Sequence, residues 1–392
     1  MVQAALDYAS DFSISLKHHK HYMNTASLGL APDKSIIEAE QALRFQASNP
    51  DKASDLMWNE VEKIRSNIFH MYGFNARQVG VGESTSHCIY KMVAATKPSR
   101  VAVTSEEFPG VVLMVKSYCK SRSCDVRVYD GVIEDAVKEA VDDGVDVVLV
   151  SAVTWVTGYR PDLAEITSYA HKRGVKVIVD AVQHFGVLSL REGENGADGY
   201  AASPKKWLLA PHSNTAVCIV GEGLMELVPP YYGLANSEIG DWSNYWSDPG
   251  KNCDDDLPLR SDGQRFGAPT GQLYHSMVAA RSSIEYLNNI GIGEIEKHVF
   301  KLHSLLVEQL ENTEVEVLSE GFKQKNKSSI VSISLGDYNR NRRLYEHLLD
   351  HGFVVSLRGQ KGYSVVRISL HIYNTEKDVL SLTKTIKEYL ND

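Results

Sequence analysis

The sequence predicts an α/β protein in which a mostly parallel, doubly wound sheet forms a large domain and a smaller α+β unit follows at the C-terminus. Two observations carry that expectation. Between residues 101 and 180, short β-branched runs (Val101 to Thr104, Val126 to Tyr129, Val145 to Ser151, Val175 to Val179) alternate with helical patterns (Ile133 to Val141, Asp162 to Arg173), and such alternation builds parallel sheets. After residue 270 the rhythm changes to two successive helical patterns, 272–289 and 293–311, and then to strands near 329–334 and 354–357. The expected division is an N-terminal segment 1–30, a large domain 31–270 and a small domain 271–392. A chain of 392 residues with 43% hydrophobic residues can bury a core of that size.

Composition narrows the function. A net charge of -9 with no basic stripe argues against a nucleic-acid partner. No apolar window of about 18 residues exists and the first residues lack a signal-peptide core, so no membrane association and a cytoplasmic location are expected. The five cysteines, Cys88, Cys119, Cys124, Cys218 and Cys253, have no CxxC spacing and read as reduced thiols rather than disulfides or a zinc site. His18, His19 and His21 lack a helical i, i+4 pair and read as an N-terminal arm. Asp254 to Asp256 reads as a solvated acidic turn; no metal is expected at either place.

Taken in order, helical patterns at Lys34 to Gln46 and Asp55 to Tyr72 lead to VGVGESTSHCIYKMVAA. Ser84 and Thr85 there open an amphipathic helix, whose free N–H groups and dipole make either an anion site or an ordinary capped start. The strand Val175 to Val179 ends in Asp180, with Gln183 three residues on. A second short strand, Gly199 to Ala202, delivers Ser203, Lys205 and Lys206 just before Trp207. An acid and a lysine on adjacent strand ends are what pyridoxal phosphate chemistry needs: the lysine forms the Schiff base and the acid keeps the pyridine nitrogen protonated. Bare, the same residues read equally as a helix cap and a solvated lysine pair. Neighbouring side chains on extended backbone face opposite ways, so one lysine alone reaches a ring; Lys206 is the expected one. Strand Thr215 to Val220 closes the sheet. The loop 229–263, with Tyr231, Tyr232, Trp242, Tyr245 and Trp246, reads as a substrate lid or dimer contact.

The runs VDAVQ and DGYAASPKKWLLAP resemble the class V aminotransferase family of fold-type I pyridoxal phosphate enzymes, which includes cysteine desulfurases, kynureninases and isopenicillin N epimerase-like proteins. The family pattern is Asp-x-x-Gln, then Ser-x-His-Lys and an aromatic. The resemblance implies that Asp180 meets the pyridine nitrogen, Gln183 the ring hydroxyl and Ser203 the phosphate, with Lys206 as Schiff-base lysine and Lys205 where the family usually has His. HYMNTASLGLAP resembles the family's entry segment and places Asn24, Thr25 and Ala26 beside the substrate. GESTS places Ser84 and Thr85 at the phosphate turn, although Glu83 and Ser86 depart from the usual Gly and Glu. In SEEFPGVV, Phe108 takes the ring-stacking position, and in SAVTWVTGYRPDL Thr154 and Trp155 fall near the ring. QRFGAPTG puts Thr270 where relatives reach across a dimer interface to the partner's phosphate, with Gly267 and Pro269 departing from the pattern. SVVRISLHIYNT makes Arg367 the grip on the substrate carboxylate, with Arg358 the next candidate.

The resemblance runs from His21 to Leu390 with its motifs in order. It implies a homodimer with a shared site, an amino-acid substrate and pyridoxal 5'-phosphate as cofactor. SLRGQKGYSVVR, where desulfurases carry a mobile cysteine, has none, so persulfide formation by that route is not expected. Amino transfer is the expected reaction, ahead of β-elimination and epimerisation at the α-carbon. A cofactor-fold protein without catalysis is the reading of another class, opposed by the joint presence of Asp180, Lys206 and Arg367.

Overall fold

The structure, a computed structural model, describes residues 8–211, 213–250 and 257–391. Helices α1 (Asp33–Ser48) and α2 (Pro50–Tyr72) come first; α2 starts on a proline, whose missing N–H costs nothing there, and ends at Gly73 in the left-handed conformation. The large sheet contains β1 (Val79–Gly82), β2 (Arg100–Thr104), β3 (Asp125–Tyr129), β4 (Val147–Ser151), β5 (Lys176–Asp180), β6 (Gly199–Ala202) and β7 (Ala216–Val220), in the spatial order β1-β7-β6-β5-β4-β2-β3. The core of that order, β6-β5-β4-β2-β3, is parallel. Helix α3 (Thr85–Ala95) leads from β1 into β2, and the crossovers within the core run through α4 (Pro109–Arg122), α5 (Ile133–Asp142) and α6 (Leu163–His171).

Strands β4, β6 and β7 are buried at every position, because both sheet faces are covered and a Val/Ile/Ala run suits that environment. Register brings Ser151, Asp180 and Ala201 into one row at the carboxyl edge of the parallel strands. Strand β7 runs antiparallel to β6, so the beginning of β7 lies at that same edge, with Val217 opposite Ala202. Open α/β sheets bind ligands along this edge.

The C-terminal part has its own core. It holds α8 (Ile292–Leu310), β8 (Glu316–Val317), β9 (Ile330–Ser334), α9 (Tyr338–Asp350), β10 (Ser356–Gln360), β11 (Tyr363–Ser369) and α10 (Glu376–Asn391). Its sheet has the order β10-β11-β9-β8 and is antiparallel. The β10–β11 hairpin turns on Lys361 and Gly362, both at positive φ (50° and 81°), the backbone that matches the twist of the strands. The strand expected near 354–357 is split in two: Phe353–Val354 pairs in parallel with His21–Tyr22, and Ser356 onward joins β11. Helix α7 (Tyr274–Ile290), beyond position 270 in sequence, packs on α1 and α2, with Arg281 paired to Glu60 and the Ser283 hydroxyl bonded to Leu209 O.

Three local expectations change. Cys119 and Cys124 are paired in a disulfide rather than reduced: α4 ends at Ser123 in the left-handed conformation, and this turn folds the chain back until the two Cα atoms are 4.3 Å apart. The N-terminal segment, read as an arm, is docked on the body: Phe12 is buried against Tyr286 and Tyr373, and His21 bonds Asp378 while stacking on Phe353. The loop 229–263 contains a short helix, Trp242–Ser247, whose Asp241 side chain caps it. The acidic run Asp254 to Asp256 lies outside the described residues, as does Cys253. Among the described residues no helix is long and apolar enough to cross a membrane.

Candidate active site

A cavity of about 390 Å³ opens at the carboxyl edge of the large sheet, between that sheet and the β10–β11 hairpin. Its floor carries Asp180, Lys206, Ser203 and Gln183. Asp180 is buried, which raises its carboxyl above the ordinary range, opposed by the Val182 N–H and by Lys206. The segment 203–210 that carries the lysine is pressed between two glycines. A Cβ on Gly29 would stand 2.0 Å from Lys206 O, and one on Gly186, itself at φ 107°, 2.1 Å from Trp207 O. Trp207 below is fully buried; its indole N–H donates to Gln183 Oε1 at 2.6 Å, and its carbonyl accepts from His371 at 2.9 Å. Gln183 donates in turn to Ala26 O at 3.1 Å.

The Lys206 ammonium lies 5.5 Å from the centre of the Phe108 ring, which packs edge-on against Trp155. Burial pulls this amine down to about 8; Asp180 opposes the shift, while Arg367, Lys205 and Arg358 add to it. Behind Asp180 sits a second carboxyl, Glu107, which accepts from Ser151 N (2.8 Å), Ser151 Oγ (2.6 Å) and Thr104 Oγ1 (3.1 Å). Its burial outweighs those bonds and, with the Asp180 charge adding, pushes Glu107 up to about 7. At one end of the cavity α3 begins, with Ser84 as N-cap accepting from the His87 N–H at 3.2 Å.

The opposite wall belongs to the small domain and the N-terminal segment. Arg367 on β11 is 1% exposed; it donates to Trp155 O at 2.5 Å and to Ser27 Oγ at 2.8 Å, and burial followed by the Arg358 charge brings it down to about 9. Arg358 on β10 donates to the same Ser27 Oγ at 2.9 Å. Ser27 touches Ser356 Oγ at 3.1 Å, and Ser356 donates to Asn24 Oδ1 at 2.5 Å. The hairpin is tied to the large domain by a Gln360 bond to Ser105 O and by Lys361, paired with Glu106 (3.3 Å) and Asp130 (3.0 Å).

With the fold and this constellation in hand, the sequence profile of Aminotransferase class-V matches residues 31–382. The chain belongs to that family. A kynureninase of Deinococcus radiodurans is 23% identical over 304 residues, which are 74% of this chain and 71% of the kynureninase. An uncharacterized protein of Schizosaccharomyces pombe is 24% identical over 257 residues, 64% of this chain, and the match spans only about half (54%) of that relative's length. The fold is that of fold-type I enzymes: the apo cysteine desulfurase of Thermococcus onnurineus NA1 superposes with a TM-score of 0.80 at 18% identity, covering 99% of this chain and 100% of the desulfurase.

Enzymes of the class-V family depend on pyridoxal phosphate, and the cavity of this member fits it. Thr85 Oγ1 is buried at the first turn of α3 without a hydrogen-bond partner among the described residues, a donor placed for an anion at a helix N-terminus. Ser84 and Ser203 share the cavity with it; Asp180 and Lys206 stand on the floor, and Phe108 beside the lysine offers a ring face.

Of the residues singled out from the sequence, Ala26, Ser84, Thr85, Phe108, Asp180, Gln183, Ser203, Lys205, Lys206 and Arg367 line this one cavity. Asn24 does not; it bridges to Ser369 and serves as the far anchor of the Ser356 and Ser27 hydroxyls. Thr154 does not either: its hydroxyl is spent on Thr157 and the Tyr159 N–H, and its neighbour Trp155 faces the cavity instead. Thr270 is exposed and away from the cavity of its own chain. Sequence reading did not single out Glu107, Ser151 or Ser213 to Thr215, all at or behind the cavity. The last three are reached only because β7 is antiparallel, a fact of topology with no local signature. Glu107 stands beside Phe108 in an ordinary-looking acidic pair, and only the fold reveals its burial.

Proposed function

We propose that the chain is a pyridoxal phosphate-dependent enzyme that breaks the bond to the α-hydrogen of an amino acid and carries out amino transfer. The observation that supports it most directly is the Lys206 amine, held near Phe108 above a buried Asp180 and brought down to about 8, close to the neutrality a general base needs. When bound, the cofactor supplies the electron sink for that bond. Asp180 would hold the proton on the pyridine nitrogen, and the burial that raises its own carboxyl is offset by that positive partner. Ser84, Thr85, Ser203 and the free N–H groups of α3 would hold the phosphate. Arg367 would hold the α-carboxylate through its planar fork, leaving the α-hydrogen to Lys206.

The test is to incubate the holoenzyme with a panel of amino acids and follow the cofactor absorbance. Conversion to the pyridoxamine form supports amino transfer; release of ammonia with the starting spectrum restored makes the enzyme a lyase. β-Elimination is the second reading: it begins with the same loss of the α-hydrogen, and its signature is the released ammonia. The hairpin 356–367 carries no cysteine, so desulfuration through an enzyme persulfide at that loop is not proposed. The cavity is taken to be completed across a homodimer interface, with exposed Thr270 reaching the partner's site; a monomeric holoenzyme by light scattering at micromolar concentration would refute this.

A further inference from the structure

Arg358 and Arg367 donate to the same oxygen, Ser27 Oγ, at 2.9 and 2.8 Å, so two like charges end within one hydroxyl's reach of each other at the wall of a cavity. Among the described residues neither guanidinium has a carboxylate partner. Each spends two hydrogen bonds on oxygens that carry no full charge: Leu357 O and Ser27 for Arg358, Trp155 O and Ser27 for Arg367. A guanidinium has five N–H donors, and Arg367 Nε is buried with no hydrogen-bond partner among the described residues. Burial and the neighbouring Arg358 disfavour the charged form of Arg367. Arg367 is buried and Arg358 half-buried; two uncompensated cations this close, one of them cut off from water, are costly, and a ligand that brings negative charge lowers the cost.

One α-carboxylate supplies one negative charge and satisfies one fork. The other anchors of the cavity belong to the cofactor: Asp180 lies on the floor and the phosphate cradle at α3 is on a different element. A second anion on the substrate is what remains to meet the second guanidinium. Because both arginines bond the same hydroxyl, that anion has to stand close to the first.

From this we propose that the substrate is an α-amino acid with a short acidic side chain, its second anion one or two carbons beyond the α-carbon, held by Arg358 while Arg367 holds the α-carboxylate. Carboxylate and sulfinate share this chemistry. The proposal rests on the reading above that the site takes an amino acid at all.

The test titrates the holoenzyme with L-aspartate, L-glutamate, L-cysteinesulfinate, L-alanine and L-valine, with cofactor absorbance and calorimetry as parallel readouts. The wild type is expected to bind the best acidic ligand at least about tenfold more tightly than alanine, the lower end of what a charge-assisted contact contributes. In Arg358→Gln that ratio is expected to collapse towards one, and Arg358→Lys, which keeps the charge and guards against a folding defect, to restore part of it. Alanine bound as tightly as every acidic ligand, or a ratio unchanged in Arg358→Gln, would overturn the proposal while leaving an amino-acid enzyme in place. Absence of any heat or spectral response to all five would overturn the underlying reading as well.

Discussion

The floor and the wall of the cavity are built in opposite ways. The floor stands on buried strands β5 and β6, with the lysine segment clamped against Gly29 and Gly186 and Trp207 bonded from two sides. The wall stands on a hairpin of the small domain and reaches the rest of the molecule through polar links: Arg367 to Trp155 O, Gln360 to Ser105 O, and Lys361 to Glu106 and Asp130. Backbone in a covered parallel sheet cannot shift without breaking the packing on both faces, whereas polar links at a rim can part and re-form. The floor is thus suited to fix the kind of chemistry, and the wall to select what undergoes it.

The comparison breaks most sharply at Lys206. Lys206→Ala should abolish the borohydride-reducible link to pyridoxal phosphate, while Lys205→Ala keeps it; label recovered on Lys205 would reassign the floor. The same link gives a pH prediction. A buried amine brought down to about 8 is protonated below that pH and neutral above it. The rate of cofactor attachment should therefore climb by about tenfold per pH unit and level off near 8. A plateau only near 10.5, the ordinary lysine value, would mean that the floor does not perturb the amine.

A smaller effect is expected on the wall at Arg367. Arg367→Lys keeps a charge but loses the fork, and should weaken amino-acid binding by about 1.5–3 kcal/mol in a spectral titration while cofactor attachment is untouched. Loss of both together would erase the distinction between the two regions. Smallest of all, Lys361→Ala removes the partly exposed ion pairs at the hairpin tip, a change of under about 1 kcal/mol in apparent substrate affinity. Wild type assayed at 1 M salt should behave similarly, since screening weakens the same pairs.

This contrast also explains what could be read from the sequence. The floor was legible because its signals are local: a β-branched run that stops at Asp180 and a four-residue strand that stops before Ser203. The alternation expected of the lysine pair does not hold, because residues 204–208 form a turn rather than extended backbone and both Lys205 and Lys206 line the cavity. Strands β2 to β7 and helices α1, α2, α3, α5 and α6 followed from the same periodicities, whereas β1 and α4 were not anticipated. The wall was legible only in part, through Arg367 and its motif. Asn24 and Thr154 do not line the cavity because the backbone there is irregular: Trp155, one residue beyond Thr154, and Ala26, two beyond Asn24, face it instead. The burial of Glu107, the disulfide at Cys119 and the docking of Phe12 depend on partners far away or on a turn conformation that residue type does not announce.

The two arginines also orient the hydroxyls behind them. Ser27 Oγ accepts from both guanidiniums, which occupies its lone pairs, so its own hydrogen has only Ser356 to go to; Ser356 then points its hydrogen at the Asn24 carbonyl oxygen. Every proton in that row has a single orientation. Two positive groups at one end thus write a polarity into a chain of neutral residues and carry it to the backbone bridge between Asn24 and Ser369. Neutralising the arginines with an anion would relax that alignment, so the arrival of a ligand would be felt as freed rotation at Ser27 and Ser356, on the far side of the wall from the reacting carbon.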